Sequence, residues 1–284
     1  MTKTMLSFGH GYCAREIAKT LLADGWRVIG TTRSEDKAAD LRATGVEPLV
    51  WPGTDLTKAI AQADHILISA GPDGDGDPVF NAWGPQIAAR AKALDWVGYL
   101  STTGVYGNFD GAWVDETTPL NPTTRRGQLR KAAEENWLSM PDLPVHVFRL
   151  AGIYGPDRGP FSKVRNGTAR RVIKENQVFS RTHVQDIAQV VLASIARPNP
   201  GAAYNVCDND PAPPQDVIAH AAELLGMPVP PAIAFEDADF TPMARSFYAE
   251  NKKVRNDRIK DDLGVTLKYP SYREGLAALL ADSE

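Results

Sequence analysis

Phe8-Gly9-His10-Gly11-Tyr12-Cys13-Ala14 decides the fold. It follows a short apolar run, Thr4-Met5-Leu6-Ser7-Phe8. After it, Ile17, Ala18, Leu21 and Leu22 recur at the three- and four-residue spacing of a helix. A strand therefore runs into a glycine turn and then into a helix. In that context the weak pattern G-x-G-x-x-A becomes a candidate nucleotide site. Gly9 makes the tight turn, Gly11 has no side chain to hold a pyrophosphate off the backbone, and Ala14 lets the helix pack close to the strand. The free amides at the helix start then face the phosphates, helped by the helix dipole. An ordinary strand–helix turn that needs glycine for its backbone angles shows the same residues, so the remainder of the chain has to decide.

Outward from this turn, strand and helix patterns alternate. Trp26-Arg27-Val28-Ile29-Gly30-Thr31 reads as a second strand, followed by a helix over residues 36–42. Residues 46–50 form a third strand and 56–61 a short helix. His65-Ile66-Leu67-Ile68-Ser69 is continuously apolar, as expected when both faces of a parallel sheet are covered. A flexible acidic loop over 70–78 precedes a helix over 79–93. Trp96-Val97-Gly98-Tyr99-Leu100-Ser101 is the fifth strand, and a long loop of functional length runs to about residue 125. Residues 126–138 are strongly helical, and Val145-His146-Val147-Phe148-Arg149-Leu150 is the sixth strand. The alternation argues for an α/β fold, a doubly wound parallel sheet of Rossmann type with right-handed crossovers. Beyond the sixth strand Gly and Pro become frequent. We expect a Rossmann domain over 1–155 and a smaller C-terminal α/β substrate lobe over 156–284. Segments around 181–207, including a helix over 183–195, return to the main sheet. From about residue 211, with a helix over 215–225, the chain forms the lobe. Ligands of open α/β sheets bind at the carboxyl ends of the strands, so a lobe over that edge makes a cleft.

Composition sets bounds. The chain has 284 residues, 43% hydrophobic and 23% charged, with a net charge of -4. These are ordinary values for a globular protein. There is no basic surplus for nucleic acid, and the Arg/Lys-rich stretch 165–174 reads equally as a solvated face. Cys13 and Cys207 are the two cysteines, which is no disulfide framework and suits a reducing cytoplasm. Cys13 opens a helix, which lowers a thiol pKa where the sulfur is exposed; a small residue packed beside the turn is the plainer reading. No apolar run reaches membrane-spanning length, and no Cys/His cluster has metal-ligand spacing.

Thr102-Thr103-Gly104-Val105-Tyr106-Gly107 resembles the Ser/Thr-x-x-Val-Tyr-Gly segment of the extended short-chain dehydrogenase/reductases, the superfamily of nucleotide-sugar epimerases and dehydratases. Four further stretches agree in order. Gly9-x-Gly11-x-x-Ala14 is similar to the cofactor turn, with Phe8 where the family has its first glycine. Arg149-Leu150-Ala151-Gly152-Ile153-Tyr154-Gly155-Pro156 is similar to the segment after the sixth strand. Arg181-x-His183-Val184-x-Asp186 resembles the later His-Val-x-Asp motif, and Tyr204-Asn205-Val206 a strand near the return to the sheet. The resemblance covers nearly the whole chain. It implies cofactor contacts at Gly9, Gly11, Tyr12 and Cys13, at Thr32, Arg33 and Ser34, at Ala70 and Gly71, and at Ala151. It places Thr102, Arg126 and Arg130 at catalytic positions. It also implies a possible homodimer through helices 79–93 and 126–138.

One departure bears on function. The family's active site needs Tyr-x-x-x-Lys about 24 residues after the Ser/Thr, the tyrosine moving a proton and the lysine lowering its pKa. The corresponding helix here reads Arg126-Gly127-Gln128-Leu129-Arg130-Lys131-Ala132-Ala133-Glu134. Aligned on Ala-Ala-Glu, Arg126 meets the tyrosine and Arg130 the lysine. Shifted by one, Lys131 meets the lysine and Gly127 the tyrosine. Neither register restores a tyrosine, and arginine stays protonated at any working pH. The chain in this respect resembles the atypical members of the superfamily, which keep the cofactor site and lose the tetrad. Two arginines one turn apart suit a carboxylate or phosphate, which points to an anionic group on a small polar substrate or to extra grip on the cofactor phosphates; a solvated face paired with Glu134 and other acids is the plainer reading. Thr31-Thr32-Arg33-Ser34 ends the second strand without the acid that bonds an NAD ribose, and Arg33 with Ser34 suits a 2′-phosphate; NADP is favoured over NAD. Tyr106, Tyr154, His183 and Asp77 are weaker substitutes for the tyrosine and read better as structural. An enzyme of epimerase/dehydratase type and a cofactor-binding sensor without turnover both remain open.

Overall fold

The computed structural model describes residues 2–282. Its strands in chain order are β1 (Thr4–Phe8), β2 (Arg27–Thr32), β3 (Glu47–Val50), β4 (His65–Ile68), β5 (Trp96–Thr102), β6 (Trp113–Val114), β7 (Val145–Leu150), β8 (Gly152–Tyr154), β9 (Arg171–Ile173), β10 (Arg181–His183), β11 (Ala203–Val206), β12 (Ala232–Ala234) and β13 (Lys253–Val254). The helices are α1 (Tyr12–Ala23), α2 (Glu35–Ala43), α3 (Thr57–Gln62), α4 (Pro78–Ala88), α5 (Arg125–Leu138), α6 (Phe161–Arg165), α7 (Val184–Ala196), α8 (Pro214–Leu224), α9 (Pro242–Phe247), α10 (Asp257–Asp261) and α11 (Tyr272–Ala281).

Seven strands make one parallel sheet in the order β11-β7-β5-β4-β1-β2-β3. All residues of β1, β4 and β7 are buried, which explains the apolar run of β4: helices cover both faces. One core joins α1 and α7 across Met5, Phe148 and Tyr204. The other joins β1 and β4 to α4 and α5 through Phe8, Ile68, Val79 and Trp137. The chain enters at β1, winds to β3 on one side, then crosses to β4 and winds the other way. The order reverses between β1 and β4, where Phe8 pairs with Ile68. Loops after these two strands diverge there and leave the crevice that open α/β sheets use for ligands.

Two-stranded pairs β8–β10, β9–β12 and β6–β13 carry the lobe, whose small core includes Tyr154, Phe161, Val217, Tyr272 and Leu276. Residues 181–183 pair with β8 rather than with the main sheet; α7 and β11 make the return. A further return went unread in the sequence. Ile259, Leu263, Val265 and Leu267 pack into the core with α7 and Tyr204, so residues 259–267 cover the main sheet instead of the lobe. The expected helix 79–93 stops at Ala88 and resumes as a 3-10 turn, Ala91–Ala93. Arg90 turns its guanidinium onto the Ile60 and Ala63 carbonyls, capping the end of α3. Within the long loop after β5, Thr103–Tyr106 is a 3-10 turn and β6 pairs with the lobe. Among the described residues no helix is long and apolar enough to cross a membrane.

Below the carboxyl edge lies a buried polar network. Glu134 of α5 is 1% exposed and accepts from Arg149 of β7, at 2.9 Å to Nη2 and 3.1 Å to Nε. Ser101 of β5 donates to the other Glu134 oxygen. Arg149 Nη1 donates to the Tyr106 hydroxyl at 3.0 Å, and that hydroxyl donates to Asn205 Oδ1 of β11 at 2.7 Å. Removing one partner of a buried ion pair leaves an uncompensated charge. Glu134→Ala is therefore expected to cost about 3–5 kcal/mol, read as a lower urea midpoint. Glu134→Leu combined with Arg149→Met should recover part of that loss.

Candidate functional site

One cavity of about 1230 Å³ opens at the carboxyl edge between the sheet and the lobe. It exceeds the 300–1,000 Å³ typical of a pocket for one small ligand. Gly9, Gly11, Tyr12 and Cys13 line it from the turn, Thr102 from the end of β5, Arg126 and Arg130 from α5, and Ala151 from beyond β7. Eight of the residues singled out in the sequence thus share one space. Thr32, Arg33, Ser34, Ala70 and Gly71 do not line it. Thr32, Arg33 and Ser34 lie at the end of β2, beside β1 in the sheet; Arg33 is exposed and Ser34 is the residue before α2. Ala70 and Gly71 follow β4 and stand behind the turn and behind Arg130 respectively.

The turn is built for close approach. Gly9 has φ +69°, and a Cβ there would lie 2.7 Å from the Ala70 nitrogen. Its amide donates to Thr31 Oγ1 at 2.8 Å, which ties the turn to β2. A Cβ on Gly11 would meet only the Gly9 carbonyl, at 3.6 Å, so its outer side is open. No side chain caps α1 and no acid occupies its first turn. Its first amides are left for an external acceptor, and a dinucleotide pyrophosphate fits that cradle. Cys13 is no reactive thiol: burial pushes it up to about 11, and it packs into the core beneath the turn. The Tyr12 hydroxyl donates to the Pro156 carbonyl at 2.8 Å, joining the turn to the segment after β8.

Local packing settles the register of α5. Thr124 caps it by accepting from the Gly127 amide. A Cβ at Gly127 would lie 2.7 Å from the Gly104 carbonyl oxygen, so this helix sits directly on the Thr103–Tyr106 turn. Lys131 points away from the cavity, donating to the Leu120 carbonyl at 3.1 Å. Arg126 and Arg130 are the pair that faces inward, and α5 holds no tyrosine. Arg130 Nη1 donates to the Leu100 carbonyl at 2.5 Å and to the Tyr99 hydroxyl at 3.3 Å. The Arg126 guanidinium lies over the Phe247 ring, 4.8 Å from its centroid. Thr102 Oγ1 accepts from the Gly104 amide at 3.2 Å. It caps the turn as an acceptor and keeps its own proton to donate.

Among the described residues, four other tyrosines reach the cavity. Tyr12, Tyr154, Tyr248 and Tyr272 line the cavity, and burial moves each hydroxyl up, Tyr12 to about 12. Tyr106 belongs to the buried network, also at about 12. Asp77 caps α4 through Val79 and Phe80 and accepts from Trp137 Nε1. His183 caps α7 and stacks between Tyr154 and Tyr269, and Asp186 accepts the Lys268 and Tyr269 amides. Sequence reasoning missed the lobe's cationic contribution: Arg158, Lys163, Arg181 and Lys252 also line the cavity. Arg181 stood in a quoted motif. The others lie on short irregular elements that carry no periodic signal.

A model of the NAD(P)H-binding family matches residues 9–198. A functionally unknown conserved protein from Silicibacter pomeroyi DSS has a solved structure that is 63% identical, covers the whole of both chains and superposes with TM-score 0.95. Protein YeeZ of Escherichia coli (strain K12) is 29% identical across 94% of this chain and 97% of its own. Human epimerase family protein SDR39U1, solved with NADPH, is 17% identical and shares the fold at TM-score 0.77 over 98% of this chain and 99% of its own.

Burial holds the rings of His10, His146 and His183 near pKa 4, well below the ordinary value of 6.5. These imidazoles are expected to stay neutral from pH 7.5 down to 5 in NMR titrations. The unfolded chain protonates them from about 6.5, so each favours unfolding as pH falls from there toward 4. A titration midpoint near 6.5 for any of the three would contradict the packing described.

Proposed function

The chain belongs to the NAD(P)H-binding family, and on that premise we propose that it is an atypical extended short-chain dehydrogenase/reductase, an NADP-dependent oxidoreductase or epimerase that acts on a small polar substrate without a tyrosine relay. The carrying observation is that the cofactor turn, Thr102 and the lobe all face one cavity, larger than a typical pocket for one small ligand. When bound, the nicotinamide supplies or accepts a hydride at a substrate carbon. Gly9, Gly11 and the uncapped start of α1 hold the pyrophosphate. Arg33 and Ser34, at an edge of β2 with no acid, hold the 2′-phosphate. Thr102 donates a hydrogen bond to a substrate oxygen, whose proton comes from an acid other than Thr102, and the lobe residues exclude water. Two free and buried cysteines suit a reducing cytoplasm.

A second reading, a cofactor-binding sensor without turnover, draws support from α5, which lacks the tyrosine, and from the raised pKa of each tyrosine in the cavity. The cavity beside the turn, with Thr102 and several arginines and lysines on its wall, favours the first reading, since a sensor that works through a protein partner has no use for it.

Calorimetric titration with NADPH, NADP and NAD tests the proposal. We expect NADPH to bind well and to lose about tenfold in Arg33→Ala, or roughly 1.4 kcal/mol, with NAD unaffected. Equal affinity for NAD and NADPH overturns the cofactor preference. Absence of binding by any dinucleotide overturns both readings. A screen of carbonyl compounds for NADPH oxidation then separates enzyme from sensor.

A further inference from the structure

The cavity carries a local charge surplus that the chain as a whole does not. Arg126, Arg130, Arg158, Lys163, Arg181 and Lys252 line it, against one carboxylate, Glu250, in a chain of net charge -4. Lys252 pairs with Glu250 at 3.0 Å. Among the described residues, the other five make no ion pair. Arg126, Arg158 and Lys163 are exposed and Arg130 and Arg181 half-buried, so the surplus faces the open cavity and attracts an anion to it.

Two of the five are poised as a pair. Arg126 and Arg130 stand one turn apart on the same face of α5. Arg130 is fixed through Nη1 to the Leu100 carbonyl and the Tyr99 hydroxyl. Its Nη2 turns toward the loop after β4, where a Cβ on Gly71 would come within 3.0 Å; a larger residue there would crowd the guanidinium. The Arg126 guanidinium carbon lies over the Phe247 ring, 4.8 Å from its centroid. A cation–π contact does not consume the N–H donors with which a guanidinium grips an oxyanion. The two charges also feel each other. Burial and then the neighbouring Arg130 weaken the hold of Arg126 on its proton, with only Glu250 opposing. A bound anion would remove that repulsion.

We infer that Arg126 and Arg130 form an oxyanion clamp beside Thr102, so that the ligand enters with a carboxylate or phosphate at the end nearest that hydroxyl. The inference rests on the reading of the cavity as a substrate site and names the chemical class that it takes. The position that holds a proton relay in the related enzymes is here a charge receptor. The reacting group of the ligand therefore lies next to its anionic group rather than remote from it.

The test is calorimetric titration of the full chain, with and without NADPH, using malonate, its neutral diamide malonamide, and inorganic phosphate. We expect saturable binding of malonate or phosphate, no binding of malonamide, and at least tenfold weakening in Arg126→Gln and in Arg130→Lys. The lysine variant keeps the charge and the helix but loses the planar fork. Preference for malonate assigns a carboxylate ligand, and preference for phosphate a phosphorylated one. Three results overturn the clamp: no anion binds, malonamide binds as tightly as malonate, or affinity falls in Arg181→Gln and in neither α5 variant. Anion binding that depends on the α5 arginines in a protein that ignores NADPH leaves the clamp standing and removes the cofactor reading instead.

Discussion

The ion pair between Glu134 and Arg149 holds together the part of the molecule where the cavity opens. Both groups are removed from water, at 1% and 5% exposure. Such a pair is tolerable only when its own remaining donors and acceptors are used. Here Ser101, Tyr106 and Asn205 extend it, and among the described residues the Asn205 Nδ2 is the one donor of the cluster left without a partner. The network draws β5, the Thr103–Tyr106 turn, α5, β7 and β11 to one point beneath the carboxyl edge. Motif residues that look functional in the sequence are, in this cluster, the brace under the site.

That brace frees the cavity side of α5. Gly127 seats the helix against the Gly104 carbonyl, and Glu134 anchors it two turns later. Between these fixed points, Arg126 and Arg130 face the cavity while Lys131 faces away. Neither side chain takes part in the ion pair, although Arg130 ties α5 to β5 through the Leu100 carbonyl and the Tyr99 hydroxyl. Relay residues are replaced by arginines while Thr102 keeps its place. Thr102 serves two purposes at once, capping a turn as an acceptor and offering a donor proton to the cavity.

The far wall depends on a different set of contacts. Glu250 binds the Thr123 amide and hydroxyl, and Lys252 reaches the Gly107 carbonyl. Asn251, between them, bonds both the loop at Phe109 and the loop at Val178. A short stretch late in the chain thereby stitches the lobe onto the long loop after β5. Tyr12 does the same from the other side through Pro156. Sheet and lobe meet through polar contacts at the rim, and the space between them stays open.

The sequence by itself determined the sheet and the turn. Strand runs such as Thr4-Met5-Leu6-Ser7-Phe8 and His65-Ile66-Leu67-Ile68 are written in local hydrophobicity, and the glycines in local backbone need, so no distant contact was required to read them. It also placed Thr102, Arg126 and Arg130, because a family resemblance carries position. It could not choose between Arg130 and Lys131, which differ by one residue in register; the crowding at Gly127 decided that. Nor could it tell a reactive Cys13 from a buried one, or foresee that residues 259–267 return to the main core. Arg158, Lys163 and Lys252 converge from segments about 90 residues apart in the chain. Charge that gathers by long-range folding leaves no periodic trace, so only the tertiary structure could reveal the cationic wall.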